Sequence, residues 1–162
     1  MRRSYLLLTA AMVLSGCGGG REVQVERGWI DRATLMKPEH HQFQERFDTV
    51  RVDQQFVPMI RNVSDSVSVI VFLGTWCPDS RREVPHFLKL ADEAGIPSDM
   101  IKLYAVDRTK KSDDGLTGQY HIQLVPTFIF LKHGEEIGRI TEVPQTTMEQ
   151  ETLMILANAR SK

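Results

Sequence analysis

One segment, Phe72-Leu73-Gly74-Thr75-Trp76-Cys77-Pro78-Asp79-Ser80, sets the architecture of the chain. Leading into it, Val67-Ser68-Val69-Ile70-Val71-Phe72-Leu73 is a β-branched run bounded by polar residues, the composition of a strand buried on both faces at the centre of a sheet. Leading out of it, Pro78 suits the first position of a helix. Val84, Phe87, Leu88 and Ala91 then recur at helical spacing until Gly95 stops the pattern. A strand, a tight turn and a helix thus meet at Cys77.

Further along the chain, residues 101–106 give a second strand, and the polar stretch 107–118 is a loop leading into a short turn at 119–122. Residues 125–131 form a third strand introduced by Pro126. His133-Gly134 turns the chain, and 136–143 alternates well enough to pair antiparallel with that strand. Residues 148–159 close as a helix with Leu153, Leu156 and Ala157 on one side. On the N-terminal side, residues 29–62 are expected to be helical in two pieces, 41–47 and 52–60, punctuated by Pro38 and Pro58. The order β, α, β, α, β, β, α predicts a mixed sheet with helices on both faces, and 162 residues leave room for one domain.

Two segments resemble one family at once. Residues 72–80 look like the active-site turn of thioredoxins, and Val125-Pro126-Thr127 looks like their cis-proline loop, with Pro126 standing 49 positions after Cys77. Gly134-Glu135-Glu136 resembles the family's hairpin, so the likeness covers residues 63–159, and the extra N-terminal helices resemble those of lipoprotein or exported members. The resemblance implies an α/β, thioredoxin-like fold: a mixed central sheet with helices on both faces, plus an N-terminal helical extension. It implies catalysis at Cys77 and Ser80, and a substrate groove formed by Trp76, Pro78, Asp79, Val125, Pro126 and Thr127. There are two departures from the family pattern. Ser80 replaces the second cysteine, turning C-x-x-C into C-x-x-S, and Val71 stands where the family usually carries a buried acid.

The chemistry expected of Cys77 follows from its place. A thiolate attacks disulfides, and the free amides and dipole of a helix start favour a negative sulfur. Ser80, one turn on, could donate its hydroxyl to that sulfur or serve simply as a helix-start residue, whereas the nearby charges Asp79, Arg81, Arg82 and Glu83 oppose one another. A mixed disulfide formed at Cys77 has no second sulfur to release it, so an external thiol, a substrate thiol or a partner protein must do so. Isomerisation, deglutathionylation or holding fits this better than net disulfide reduction. The alternatives are a non-catalytic module whose groove holds a peptide, and, more weakly, a thiol peroxidase, whose proline and threonine do not precede Cys77 in the usual pattern.

The N-terminus reads as an address. Arg2 and Arg3, an apolar run over residues 5–14 and small residues up to Cys17 have the layout of an export signal, and the run is short for a membrane span. Leu14-Ser15-Gly16-Cys17 resembles the lipobox of bacterial lipoproteins, which implies cleavage after residue 16, acylation of Cys17 and attachment to a bilayer. The expected organisation is therefore a signal at 1–16, a lipidated tether at 17–28 beginning Gly18-Gly19-Gly20, and a domain at 29–162 facing the periplasm or cell exterior. Gly18 stands where aspartate would mark retention at the inner membrane, which favours the outer one.

Composition excludes other classes. Losing Arg2 and Arg3 takes 20 bases to 18 against 21 acids, a formal charge of -3, so nucleic acid is not an expected partner. With Cys17 acylated, Cys77 is the one remaining cysteine, and His40, His41, His86, His121 and His133 show no metal-ligand spacing. No metal or other cofactor is expected. The expected partners of this monomer are a disulfide- or thiol-bearing protein or small thiol, and an external reductant.

Overall fold

The computed structural model describes residues 25–159, so the signal, the acylation of Cys17 and most of the tether lie outside the described residues. Five strands form one sheet in the order β1-β3-β2-β4-β5. The continuous apolar run forms β2 (Val67–Leu73) at its centre. β2 pairs parallel with β3 (Ile101–Ala105) and antiparallel with β4 (Thr127–Lys132). Beyond β4 lies β5 (Glu135–Thr141), joined through a turn in which His133 and Gly134 both take positive φ. The mixed sheet expected from the alternating elements is therefore present.

The N-terminal segment departs from its sequence reading. Gly28, placed at the end of the tether, and Trp29 and Ile30, placed in the helical region, instead form the edge strand β1 (Gly28–Ile30), antiparallel to β3. Trp29 packs edge-on against Tyr104 of β3 with ring centroids 5.0 Å apart. Three residues carry almost no periodicity, and what makes them a strand is the unpaired edge of β3. Helices α1 (Arg32–Leu35), α2 (His41–Thr49) and α3 (Val57–Val63) follow. Pro58 falls in the first turn of α3 rather than breaking it, so that helix begins five residues later than the apolar pattern suggested.

Side chains of β2 alternate between two cores. Val67, Val69, Val71 and Leu73 face α1, α2, α3, α4 (Pro78–Ala94) and α6 (Met148–Asn158), where Phe87 packs on Phe128 and Phe130 at 5.1 and 5.8 Å. Ile70 and Phe72 face the other way, into a smaller cluster with Tyr104, Ile122, Val125 and Ile129, covered by α5 (Leu116–Gln119) and its flanking loops. Each fully buried aliphatic or aromatic side chain of this kind contributes about 1.5–3 kcal/mol, so the seven-residue β2 anchors both layers. α4 ends as expected at Gly95, whose φ of 79° is the left-handed cap that glycine adopts without penalty. It also runs through Pro85, which the helical spacing did not reveal.

Candidate active site at the start of α4

β2 ends at Leu73, and the next four residues carry the chain over the top of the sheet into α4. Gly74 sits beneath the Trp76 indole: a Cβ added there would stand 2.7 Å from Cε2 of the ring. The indole Nε1 donates to the Val106 carbonyl oxygen at 2.9 Å, and the Arg108 guanidinium lies 4.9 Å from the ring centroid on the indole face. Trp76 is thus fixed by contacts 30 and 32 positions away. Arg81 closes the turn from the helix side, its Nε donating to the Thr75 carbonyl oxygen at 2.7 Å.

Cys77 is the N-cap residue of α4, with extended φ and ψ of -85° and 125°. Its carbonyl oxygen accepts the Arg81 amide at 3.1 Å, the first bond of the helix. Pro78 has no amide to offer, and Asp79 and Ser80 follow in the positions whose N–H groups lack intrahelical acceptors. Cys77 therefore holds the position whose side chain would ordinarily accept those amides. It makes no such bond here. Its Sγ–H instead donates to the Val125 carbonyl oxygen at 3.2 Å, and Cys77 is 6% exposed.

Val125 belongs to the second segment singled out in the sequence, and the Val125–Pro126 peptide bond is cis. The Val125 carbonyl thus faces the sulfur across the turn. The Val125 amide has no hydrogen-bond partner among the described residues. Thr127 begins β4 buried, with its hydroxyl donating to the Leu124 carbonyl oxygen at 2.8 Å. Trp76, Cys77, Val125 and Ile122 share the smaller apolar cluster, while Pro78 is exposed and Asp79 half-buried on the rim, where Asp79 pairs with Arg82 at 2.8 Å. The structure brings together the residues expected at the site.

Ser80 is placed differently from its expected role. It is fully buried, and its Oγ accepts the Gly74 amide at 3.1 Å; among the hydrogen bonds of the described residues none joins it to Cys77 Sγ. The hydroxyl staples the turn to the helix. Sequence spacing showed that Ser80 lies one turn from Cys77, but not that the Gly74 amide would lie closer to hand. Arg81, Arg108 and Val106 were also missed as supports of the turn: the bonds of Arg81 and Trp76 go to backbone carbonyls, which leave no signature in residue type, and Arg108 reaches the indole from a loop 32 positions away.

Behind the turn, α4 is tied to α6 by a buried polar cluster. His86 Nε2 lies 2.8 Å from Glu149 Oε1, which also accepts the Asp53 amide at 3.2 Å, and His86 Nδ1 lies 3.9 Å from Glu83. Burial pushes the Glu149 carboxyl up, but the bonds from His86, from its own amide and from Asp53 outweigh this and lower it to about 2. Among the described residues no cluster of histidine, cysteine and acidic side chains could hold a metal ion, and no helix is long and apolar enough to cross a membrane.

Known proteins give the same picture. A thioredoxin of Malassezia sympodialis is 33% identical over 76 residues, covering 47% of this chain and 69% of its own. A protein disulfide-isomerase A5 of Bos taurus is 27% identical over 77 residues, which are 48% of this chain and 15% of that much longer one. The crystal structure of a protein of unknown function from Pseudomonas aeruginosa superposes with a TM-score of 0.52 at 14% identity, covering 75% of this chain and 81% of that one, a likeness of fold alone. A family model described as thioredoxin matches residues 30–157, from the edge strand to the last helix. The sheet order, the cysteine at the helix start and the facing cis-proline loop accord with that match, and the chain belongs to the thioredoxin family.

Proposed function

We propose that the protein is a monothiol thiol-disulfide exchange protein, held at a membrane through acylated Cys17 and acting outside the cytoplasm through Cys77. The observation that carries this reading is the position of the sulfur, at the N-cap of α4 and 3.2 Å from the Val125 carbonyl, with a hydroxyl in place of the second sulfur. To react, the thiol gives up its proton and its bond to Val125. The resulting thiolate occupies a capping position facing the Asp79 and Ser80 amides, which favour negative charge. It attacks one sulfur of a substrate disulfide, forming a Cys77 mixed disulfide and expelling the other sulfur as a thiolate. The unpartnered Val125 amide offers an extended substrate one backbone bond beside the new disulfide. An external thiol then attacks the mixed disulfide and restores Cys77.

The test is capture of disulfide-linked adducts from cells by the parent protein and by Cys77→Ser. Adducts formed by the parent alone support exchange, whereas equal recovery from both refutes it. A second reading, a groove that only holds a peptide, is favoured by the low exposure of the sulfur at 6%. It requires that Cys77→Ala bind and function like the parent.

A further inference from the structure

The charges around Cys77 are distributed unevenly. On the Trp76 side, an open groove of about 550 Å³ is lined by Arg108, Lys110, Lys111, His121 and Ile122 among others, with no carboxylate among its lining residues. On the helix side, a second cleft of about 410 Å³ is lined by Gln42, Arg46, Pro78, Arg81 and Arg82, again without a carboxylate. Each adjoins the active-site turn: Arg108 stacks on the Trp76 indole, and Pro78 directly follows Cys77. Arg81, Arg108, Lys110 and Lys111 have no carboxylate within 4.0 Å among the described residues.

The acids of this region are already paired, Asp79 and Glu83 with Arg82 of the helix-side cleft itself. Asp107 and Asp113 pair with Arg27 at 3.5 and 3.2 Å, and Asp114 accepts the Tyr104 hydroxyl. Glu142, whose amide bonds the Pro126 carbonyl oxygen, is an acid on the proline side, so the positive field covers the turn and helix flanks and not the whole rim. A formal charge of -1 over the whole chain makes this local excess a feature of the site rather than of the protein.

We propose that the preferred substrates of Cys77 are disulfides in acidic peptide segments. Carboxylates on one side of the substrate cysteine lie in the groove of Arg108, Lys110 and Lys111, and those on the other side lie over Arg81. Cations on both flanks fit an extended segment that crosses the sulfur, whereas a small acidic thiol engages one flank at a time. This rests on the exchange reading above and names its substrate class. The chemical step is redox-neutral: the bond from Cys77 to the peptide sulfur forms, the bond from that sulfur to its former partner breaks, and the departing thiolate carries the electron pair and takes up a proton.

The experiment uses matched peptides with one cysteine activated as a 2-thiopyridyl disulfide and flanked by glutamates or by lysines, with released pyridinethione as the signal. The acidic peptide is expected to react about tenfold faster at low ionic strength, a ratio that salt collapses towards one. Lys110→Glu combined with Lys111→Glu should reduce the ratio several-fold, and Arg108→Glu should reduce it independently. Equal rates for both peptides, or a ratio insensitive to salt and to these substitutions, overturn the proposal. So does discrimination seen only between small acidic and basic disulfides. If Cys77 reacts with neutral 2,2′-dithiodipyridine while the peptides are not distinguished, only the acidic preference falls. If it does not react with that reagent, the exchange reading falls as well.

Discussion

Ser80 holds Gly74 across the active-site turn, accepting its amide at 3.1 Å with no exposed surface of its own. The serine therefore has structural work independent of sulfur chemistry. Ser80→Ala leaves a buried amide without a partner, a defect that costs about 1–3 kcal/mol. Denaturant unfolding should show a lower midpoint at unchanged slope, and a midpoint equal to the parent's would mean that the bond contributes nothing.

Ser80→Cys would restore the second sulfur that ordinary family members carry. Mixed disulfides at Cys77 should then be resolved from within the protein, their lifetime falling by at least about tenfold, because a neighbouring thiol acts at a high effective concentration. The measurement is the decay of a purified adduct without added thiol. An unchanged decay would show that position 80 cannot reach the sulfur.

The contrast between Gly74 and Cys77 shows how much of the site could be read from residue order. The turn, the helix start at Pro78, the cap at Gly95 and the proline loop all carry local signals, because each depends on a backbone conformation that only certain residues favour. β2 was legible for a similar reason, since its apolar run admits few other uses. The edge strand at Trp29 was not, because its formation depends on the exposed edge of β3. The partners of Ser80 and Arg81, and the Val106 carbonyl that holds Trp76, were hidden because each is a backbone group that any residue could present.

Gly74→Ala tests the support of the indole. The backbone at Gly74 is not left-handed, so the effect comes from space alone: the methyl would meet Cε2 of Trp76 at 2.7 Å, on a ring held by Val106 and Arg108. Overpacking of this kind costs about 1–3 kcal/mol. In a Trp29→Phe background, the remaining tryptophan emission should shift as the ring is displaced. A variant with parental emission and stability would show that the turn gives way freely.

Glu149 predicts how the fold responds to acid. Its folded-state value of about 2 lies below the ordinary 4.5, so its contribution is complete above about 4.5 and is lost as pH falls towards 2. The cluster facing it contains His86 and the Asp53 amide, with Glu83 on the far side of the imidazole and bonded to Arg82. Glu149→Gln should lower stability at pH 7 by about 1–3 kcal/mol and flatten the fall between pH 4.5 and 2. Unfolding curves across that range would show the effect, and a variant with the parental slope would place the acid sensitivity elsewhere.

The path of the chain into the domain sets which way the site points. The Glu26 amide lies 3.5 Å from the Thr75 hydroxyl, and Arg27 pairs with Asp107 just past Val106, so the backbone arrives beside the reactive turn. It leaves at the other pole, where Lys132 Nζ approaches the Ala159 carbonyl oxygen at 3.4 Å, at the end of β4 remote from Thr127. Immobilised by a linker ahead of Val25, the protein would present Cys77 to its support; immobilised by a linker after Ala159, it would present Cys77 to the solution.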